Sequence, residues 1–134
     1  MKVVLDANVL ISAIVFGGKP RTILELIVDA KTITGIISKA VLDELLGVLK
    51  VKFKYAHQQL IKIEKLIEEN FIITYPQNIP KIIKEDHFDN QFLAIIDETK
   101  IDYIISGDNH LLKIKFYKNV PIISPRYFVD RILK

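Results

Sequence analysis

The chain of 134 residues predicts an α/β fold, a parallel sheet covered on both faces, and two observations carry that expectation. Apolar residues make up half of the chain at a mean hydropathy of +0.27, and they fall in short runs separated by charged stretches. Such continuous runs are the signature of strands buried on both faces. Between them lie segments with helical periodicity, and strand–helix alternation is the pattern of crossover-connected parallel strands.

The elements follow in order. Residues 2–5, Lys2-Val3-Val4-Leu5, read as the first strand, and 8–16 as a short helix ended by the break Gly17-Gly18-Lys19-Pro20. Pro20 suits the first turn of a helix, so 22–30 follows, with Ile23, Leu24, Leu26, Ile27 and Val28 as a broad apolar face. Residues 32–37 read as the second strand. Ser38 is placed as an N-cap for a helix whose Leu42, Leu45, Leu46 and Leu49 stand at i, i+3, i+4 and i+7 and define its core face. A helix over 54–70 and a strand over 71–75 come next, and then a helix bearing Phe92, Leu93, Ile95 and Ile96. Residues 103–106 read as a strand, 108–112 as a helical turn and 120–123 as a last short strand. Ser124-Pro125 opens a terminal helix, with a cap residue followed by proline at the first helical position.

The totals bound the rest. A single domain spanning 1–134 is expected, because the length is that of one good core and no interval is Gly- or Ser-rich. No apolar stretch approaches the ~20 residues of a membrane span, and the N-terminus begins a strand instead of a signal-type segment, so a soluble, cytoplasmic protein is expected. Cysteine is absent, which removes disulfides, thiolate zinc sites and cysteine nucleophiles together. His57, His87 and His110 share no ligand spacing, and Gly17-Gly18 is not followed by the Lys-Ser or Lys-Thr of a phosphate-binding loop.

Four acids draw attention. Asp6 ends the first strand, at a strand-to-helix junction where Asn8 is a second capping candidate, leaving one of the two available for other work. Asp108 follows Ser106-Gly107 just past a buried strand, where a glycine lets the backbone turn and expose a carboxylate. Glu44 borders the leucine stripe beside Val41 and Val48, while Asp43 points nearly opposite it, into solvent. Asp89 precedes Phe92 by three residues, as a helix cap or a functional acid, with Asp86 a competitor for the capping role. The carboxyl ends of strands in open α/β sheets are where ligands bind, so these acids are expected to meet in one pocket. With them set aside, 19 basic residues face 12 acids, a balance of +7. An acidic pocket in a basic surround suits cleavage of a polyanion with the help of divalent cations.

The segments Val4-Leu5-Asp6-Ala7-Asn8-Val9-Leu10-Ile11-Ser12, Val41-Leu42-Asp43-Glu44-Leu45, Asp89-Asn90-Gln91-Phe92-Leu93-Ala94 and Ile105-Ser106-Gly107-Asp108-Asn109-His110-Leu111-Leu112 together resemble the PIN-domain family, in particular the toxin components of prokaryotic toxin–antitoxin systems. The resemblance extends from near Met1 to Pro125. It implies a three-layer α/β/α sandwich and a magnesium- or manganese-dependent ribonuclease. It also implies that Asp6, Glu44, Asp89 and Asp108 take the acidic catalytic and metal-holding positions, with Asn8, Ser106 and Asn109 in support. A protein antitoxin is the partner it implies, and a homodimer the assembly. In one place the chain departs from the family pattern: related sequences often read Asp-Pro-Asp-Asp before the third acid, whereas here the chain reads Asp86-His87-Phe88-Asp89.

Four clustered carboxylates would repel one another unless cations neutralise them, and hard oxygen ligands favour Mg²⁺ or Mn²⁺. RNA contacts are expected from Lys50, Lys52, Lys54, Lys113 and Lys115, where cations alternate with aromatics; solvated lysines beside core aromatics are the other reading. Two further functions stay open on the residues alone. One is phosphoryl transfer through a nucleophilic Asp6, and the other is a non-catalytic RNA- or protein-binding domain whose acids only cap helices.

Overall fold

Six strands are found among the described residues, in the order β3-β2-β1-β4-β6-β5. They are β1 (Lys2–Leu5), β2 (Thr34–Ser38), β3 (Phe71–Thr74), β4 (Tyr103–Ile105), β5 (Phe116–Tyr117) and β6 (Val120–Ile123). The computed structural model describes residues 1–75, 95–96 and 100–133. The helices are α1 (Ala7–Val15), α2 (Gly18–Val28), α3 (Lys39–Val51), α4 (His57–Asn70), α5 (Asn109–Ile114) and α6 (Pro125–Tyr127), the last passing into a π-helical stretch, Phe128–Ile132.

The expected burial on both faces is what the sheet shows. Successive strand residues point to opposite faces, yet Val3, Val4 and Leu5 are all essentially inaccessible, as are Ile36 with Ile37 and Ile104 with Ile105. The steps from β1 to β2 and from β2 to β3 run in the same direction, and right-handed crossovers therefore put α1 to α4 on one face. The chain then returns across the sheet to β4, and Ile95 and Ile96, helical and buried, belong to that return. On α3, Leu42, Leu45 and Leu49 are fully buried, while Leu46 is only partly so.

Local chemistry sets the element ends. Ser38 caps α3 as expected, its hydroxyl accepting from the Val41 N–H at 3.2 Å. The helix expected from residue 22 begins earlier, at Gly18, because Gly17 and Gly18, at φ 89° and 68°, turn the chain between α1 and α2 ahead of Pro20. Pro20 sits in the first turn of α2, where its missing N–H costs nothing. The helix expected from residue 54 begins later, at His57; Lys54 is left-handed at φ 60°, outside the helix. The expected helix around Phe92 and Leu93 lies outside the described residues except at Ile95 and Ile96.

One element departs from the expectation of an all-parallel sheet. β5 pairs antiparallel with β6 through Lys118 and Asn119, both at positive φ (48° and 69°), a two-residue hairpin of the primed type. It escapes a sequence reading because the turn carries lysine and asparagine, without the glycine that advertises such hairpins.

Gly35 is the most tightly hemmed of the described glycines. A methyl group built there would meet the Phe71 ring at 2.5 and 2.7 Å, and Phe71 is its register partner on β3. The ring lies across the space that a side chain on β2 would fill, so Gly35→Ala should destabilise the fold by about 1–3 kcal/mol, the usual cost of overpacking. Urea denaturation of the two proteins checks this; an equal midpoint would show that the ring moves aside freely.

Candidate active site

Parallel pairing aligns the carboxyl ends of β1, β4 and β6. Leu5 lies opposite Ile105, and Ile105 opposite Ile123, so Asp6, Ser106 and Ser124 leave the sheet side by side. Two backbone bonds extend the ladder by one residue: the Asp6 N–H donates to Ile105 at 3.2 Å and the Ser106 N–H to Ile123 at 2.9 Å. The connection leaving β1 runs to β2 on one side and that leaving β4 runs towards β5 and β6 on the other, which makes the β1–β4 crevice the topological switch point of the sheet.

Asp6 is only 3% exposed. Its Oδ1 accepts from the Val9 N–H at 2.8 Å, capping α1, and its Oδ2 accepts a very short hydrogen bond from the Ser106 hydroxyl. The sequence offered Asn8 as an alternative cap, which would have left Asp6 free of that duty; in the structure Asp6 is the cap and Asn8 is exposed. One oxygen serves the helix and the other faces β4.

The Ser106 hydroxyl, fully buried, is also an acceptor, taking the Asp108 N–H at 3.0 Å. A directed chain thus runs from the Asp108 backbone through Ser106 to the Asp6 carboxylate. Asp108 caps α5, its Oδ1 accepting from the His110 N–H at 2.7 Å. Its Oδ2 has no hydrogen bond among the described residues. Asp108 lines a cavity of about 220 Å³ with Asn8, Val9, Ser12, Pro20, Gly107 and Pro125. Asp6 is hydrogen-bonded to Val9 of that lining. Ser12 is a lining residue the sequence reading passed over, and its i+4 spacing from Asn8 on α1 was the available signal.

Glu44 is half-buried on α3 and lines a different, larger cavity of about 500 Å³ with Asp43, Gly47, Val48, Val51 and Lys52. Asp43 turns outward as expected and pairs with Lys39 at 3.0 Å; the hydrogen bond that Lys39 donates to Asp43 raises the Lys39 pKa. Asp89 lies outside the described residues. The structure therefore brings Asp6 and Asp108 together, and among the described residues no three His, Asp or Glu side chains form a metal-holding group. Asn109, at the start of α5, is exposed, as are His57 and His110.

Lys50, Lys52, Lys54, Lys113 and Lys115 are all exposed, and none of them lines the Asp108 cavity. The aromatics between them divide. Tyr117 is buried in the core, Phe53 packs edge-on against Phe16 with ring centres 5.9 Å apart, and Phe116 is largely exposed. Lys52 sits 5.8 Å from the Phe53 ring centre.

Removing the Ser106 hydroxyl takes a donor from a buried carboxylate and an acceptor from the Asp108 N–H at once. Ser106→Ala should therefore cost about 1–3 kcal/mol of stability, measured by denaturant unfolding, against well under 1 kcal/mol for an exposed serine-to-alanine change.

The PIN domain family model matches residues 2–110, a span that runs from β1 into α5 and contains Asp6, Ser106 and Asp108. No curated protein matches the chain. No helix among the described residues is long and apolar enough to cross a membrane. With a match over most of its length and a mostly parallel sheet, the chain belongs to the PIN domain family.

Proposed function

We propose that this protein is a divalent-metal-dependent endoribonuclease that hydrolyses phosphodiester bonds at the β1–β4 crevice. PIN domains are commonly nucleases and usually use divalent metal ions, and the fold here is of that nuclease type. The observation that carries the finer reading is the chain Asp108 N–H, Ser106 hydroxyl, Asp6 carboxylate, which holds two acids from distant parts of the sequence next to one cavity.

The donors fit a hard cation. They are carboxylate and hydroxyl oxygens without a thiolate, and the Asp108 Oδ2 has no hydrogen bond among the described residues, the chemistry that suits Mg²⁺ or Mn²⁺. Asp6 and Asp108 would hold the ion, with Glu44 and Asp89 bound directly or through water. A bound divalent ion supplies an acidified water nucleophile and charge neutralisation at the phosphate. The chain's own residues do the rest. Ser106 fixes the Asp6 carboxylate in one orientation, and the caps on α1 and α5 keep both acids at helix N-termini, where negative charge is favoured. Asn8 and Ser12, on the cavity wall, offer polar contacts to a phosphate or ribose. The resemblance to toxin components extends the proposal to a protein antitoxin as partner and the cytoplasm as the site of action.

Asp6→Asn tests the role of the charge while keeping the cap, since asparagine is as good an N-cap as aspartate. Cleavage of mixed single-stranded and structured RNAs should require Mn²⁺ or Mg²⁺, stop in EDTA, and fall on the order of 100-fold or more in Asp6→Asn. Undiminished cleavage by that variant would sink the assignment. A second readout needs no turnover: Mn²⁺ at ~100 times its dissociation constant should stabilise the wild type by roughly 2.7 kcal/mol, and the Asp6→Asn/Asp108→Asn protein scarcely at all. Equal thermal shifts in both proteins would place the ion elsewhere.

A further inference from the structure

We propose that Arg126, Tyr127 and Arg131, on the C-terminal segment beside the Asp108 cavity, form a contact surface for single-stranded RNA, an inference that rests on the nuclease reading above. Its position comes from the sheet. β6 runs parallel to β4, and the bond from Ser106 to Ile123 puts Ser124 and Pro125 next to the Ser106–Asp108 turn. Pro125 lines the Asp108 cavity. Ser124, Arg126, Tyr127, Asp130 and Arg131 line a second depression of about 310 Å³. The two hollows are flanked by consecutive residues of one turn of chain, Pro125 on the first and Ser124 and Arg126 on the second.

The chemistry of the second hollow suits a polyanion with exposed rings. Arg126 and Arg131 are exposed, and Arg131 has no ion pair or hydrogen bond among the described residues. Tyr127 is 51% exposed. One acid, Asp130, stands among them. It is held in a close ion pair by Lys19 and lies 3.7 Å from Arg126, and Lys19 keeps its carboxyl below the usual carboxylate range. Its charge is answered first by Lys19 of α2 and then by Arg126 and Arg131, so three cations face one acid and the surface is cationic. Guanidinium groups grip phosphates with paired donors, and a tyrosine ring stacks on bases whose faces are free, as they are in single strands and are not in duplexes. These three residues lie beyond the span that the family model matches.

The test is the fluorescence anisotropy of a short labelled single-stranded RNA with the full chain in EDTA, over a series of salt concentrations. In Arg126→Gln/Arg131→Gln the slope of log affinity against log salt should shrink by about 1.4, two phosphate contacts at about 0.7 each. Tyr127→Ala should weaken binding on the order of tenfold with the slope unchanged. Lys62→Gln, on the exposed side of α4, should change neither. Wild-type slope and affinity in both the arginine and tyrosine variants, or no binding by the wild type, overturns the proposal; so does an equal tyrosine effect on duplex RNA, which would remove the single-strand assignment. Because binding is read without cleavage, the outcome is separate from that of the nuclease reading. A protein that binds through these residues yet never cuts would overturn only the latter, and one that cuts with the variants' binding unaltered would overturn only this inference.

Discussion

Leu5 lies opposite Ile105 in the central parallel pair, and the first side chains past that register, Asp6 and Ser106, are joined by a hydrogen bond. The rest of the site depends on this contact. A slip of one residue would turn the apolar set of β1 to the opposite face, and burial on both faces does not forbid that by itself. The polar contact at the strand end adds a directional requirement that apolar packing lacks. It ties the N-terminal strand to a residue a hundred positions later, and through the Asp108 N–H it also sets the start of α5.

The acids at this edge hold different partners with different atoms. Asp6 caps α1 with one oxygen and meets Ser106 with the other, and Asp108 caps α5 with Oδ1. Capping and function look like rivals in a sequence, because each explains why an acid stands before a helix. A carboxylate has two oxygens, and the cap consumes one direction only. Ser38 and Ser124 cap α3 and α6 at the same end of the sheet. Helix N-termini therefore gather along one edge of a parallel sheet, and their partial positive charge makes that edge hospitable to carboxylates and to phosphates.

Much of the architecture could be read from apolar spacing. The strand at Lys2–Leu5, the buried face of α3 and the caps at Ser38 and Ser124 answer to local rules, and local rules decided them. The β5–β6 hairpin was not legible, since its left-handed turn is held by pairing across strands and not by a glycine. Helix starts at Gly18 and His57 were displaced for a related reason: residues at positive φ turn the chain there, Gly17 and Gly18 before one helix and Lys54 before the other, and Lys54 gives no compositional sign of doing so.

The candidate site divides in the same way. That Asp6 and Asp108 follow buried strands, and that Glu44 borders the apolar stripe of α3 while Asp43 faces water, are consequences of strand and helix periodicity, so the sequence by itself determined them. Which cavity each acid faces is a matter of how elements separated by many residues pack. Only the tertiary structure joined Asp6 to Asp108 through Ser106, set Glu44 on the wall of a different cavity, and put Arg126 and Tyr127 on a depression next in sequence to Pro125 of the Asp108 cavity. Periodicity specifies the direction of a side chain relative to its own element. The meeting of two side chains is specified by strand order and register, which are settled by the packing of the whole chain.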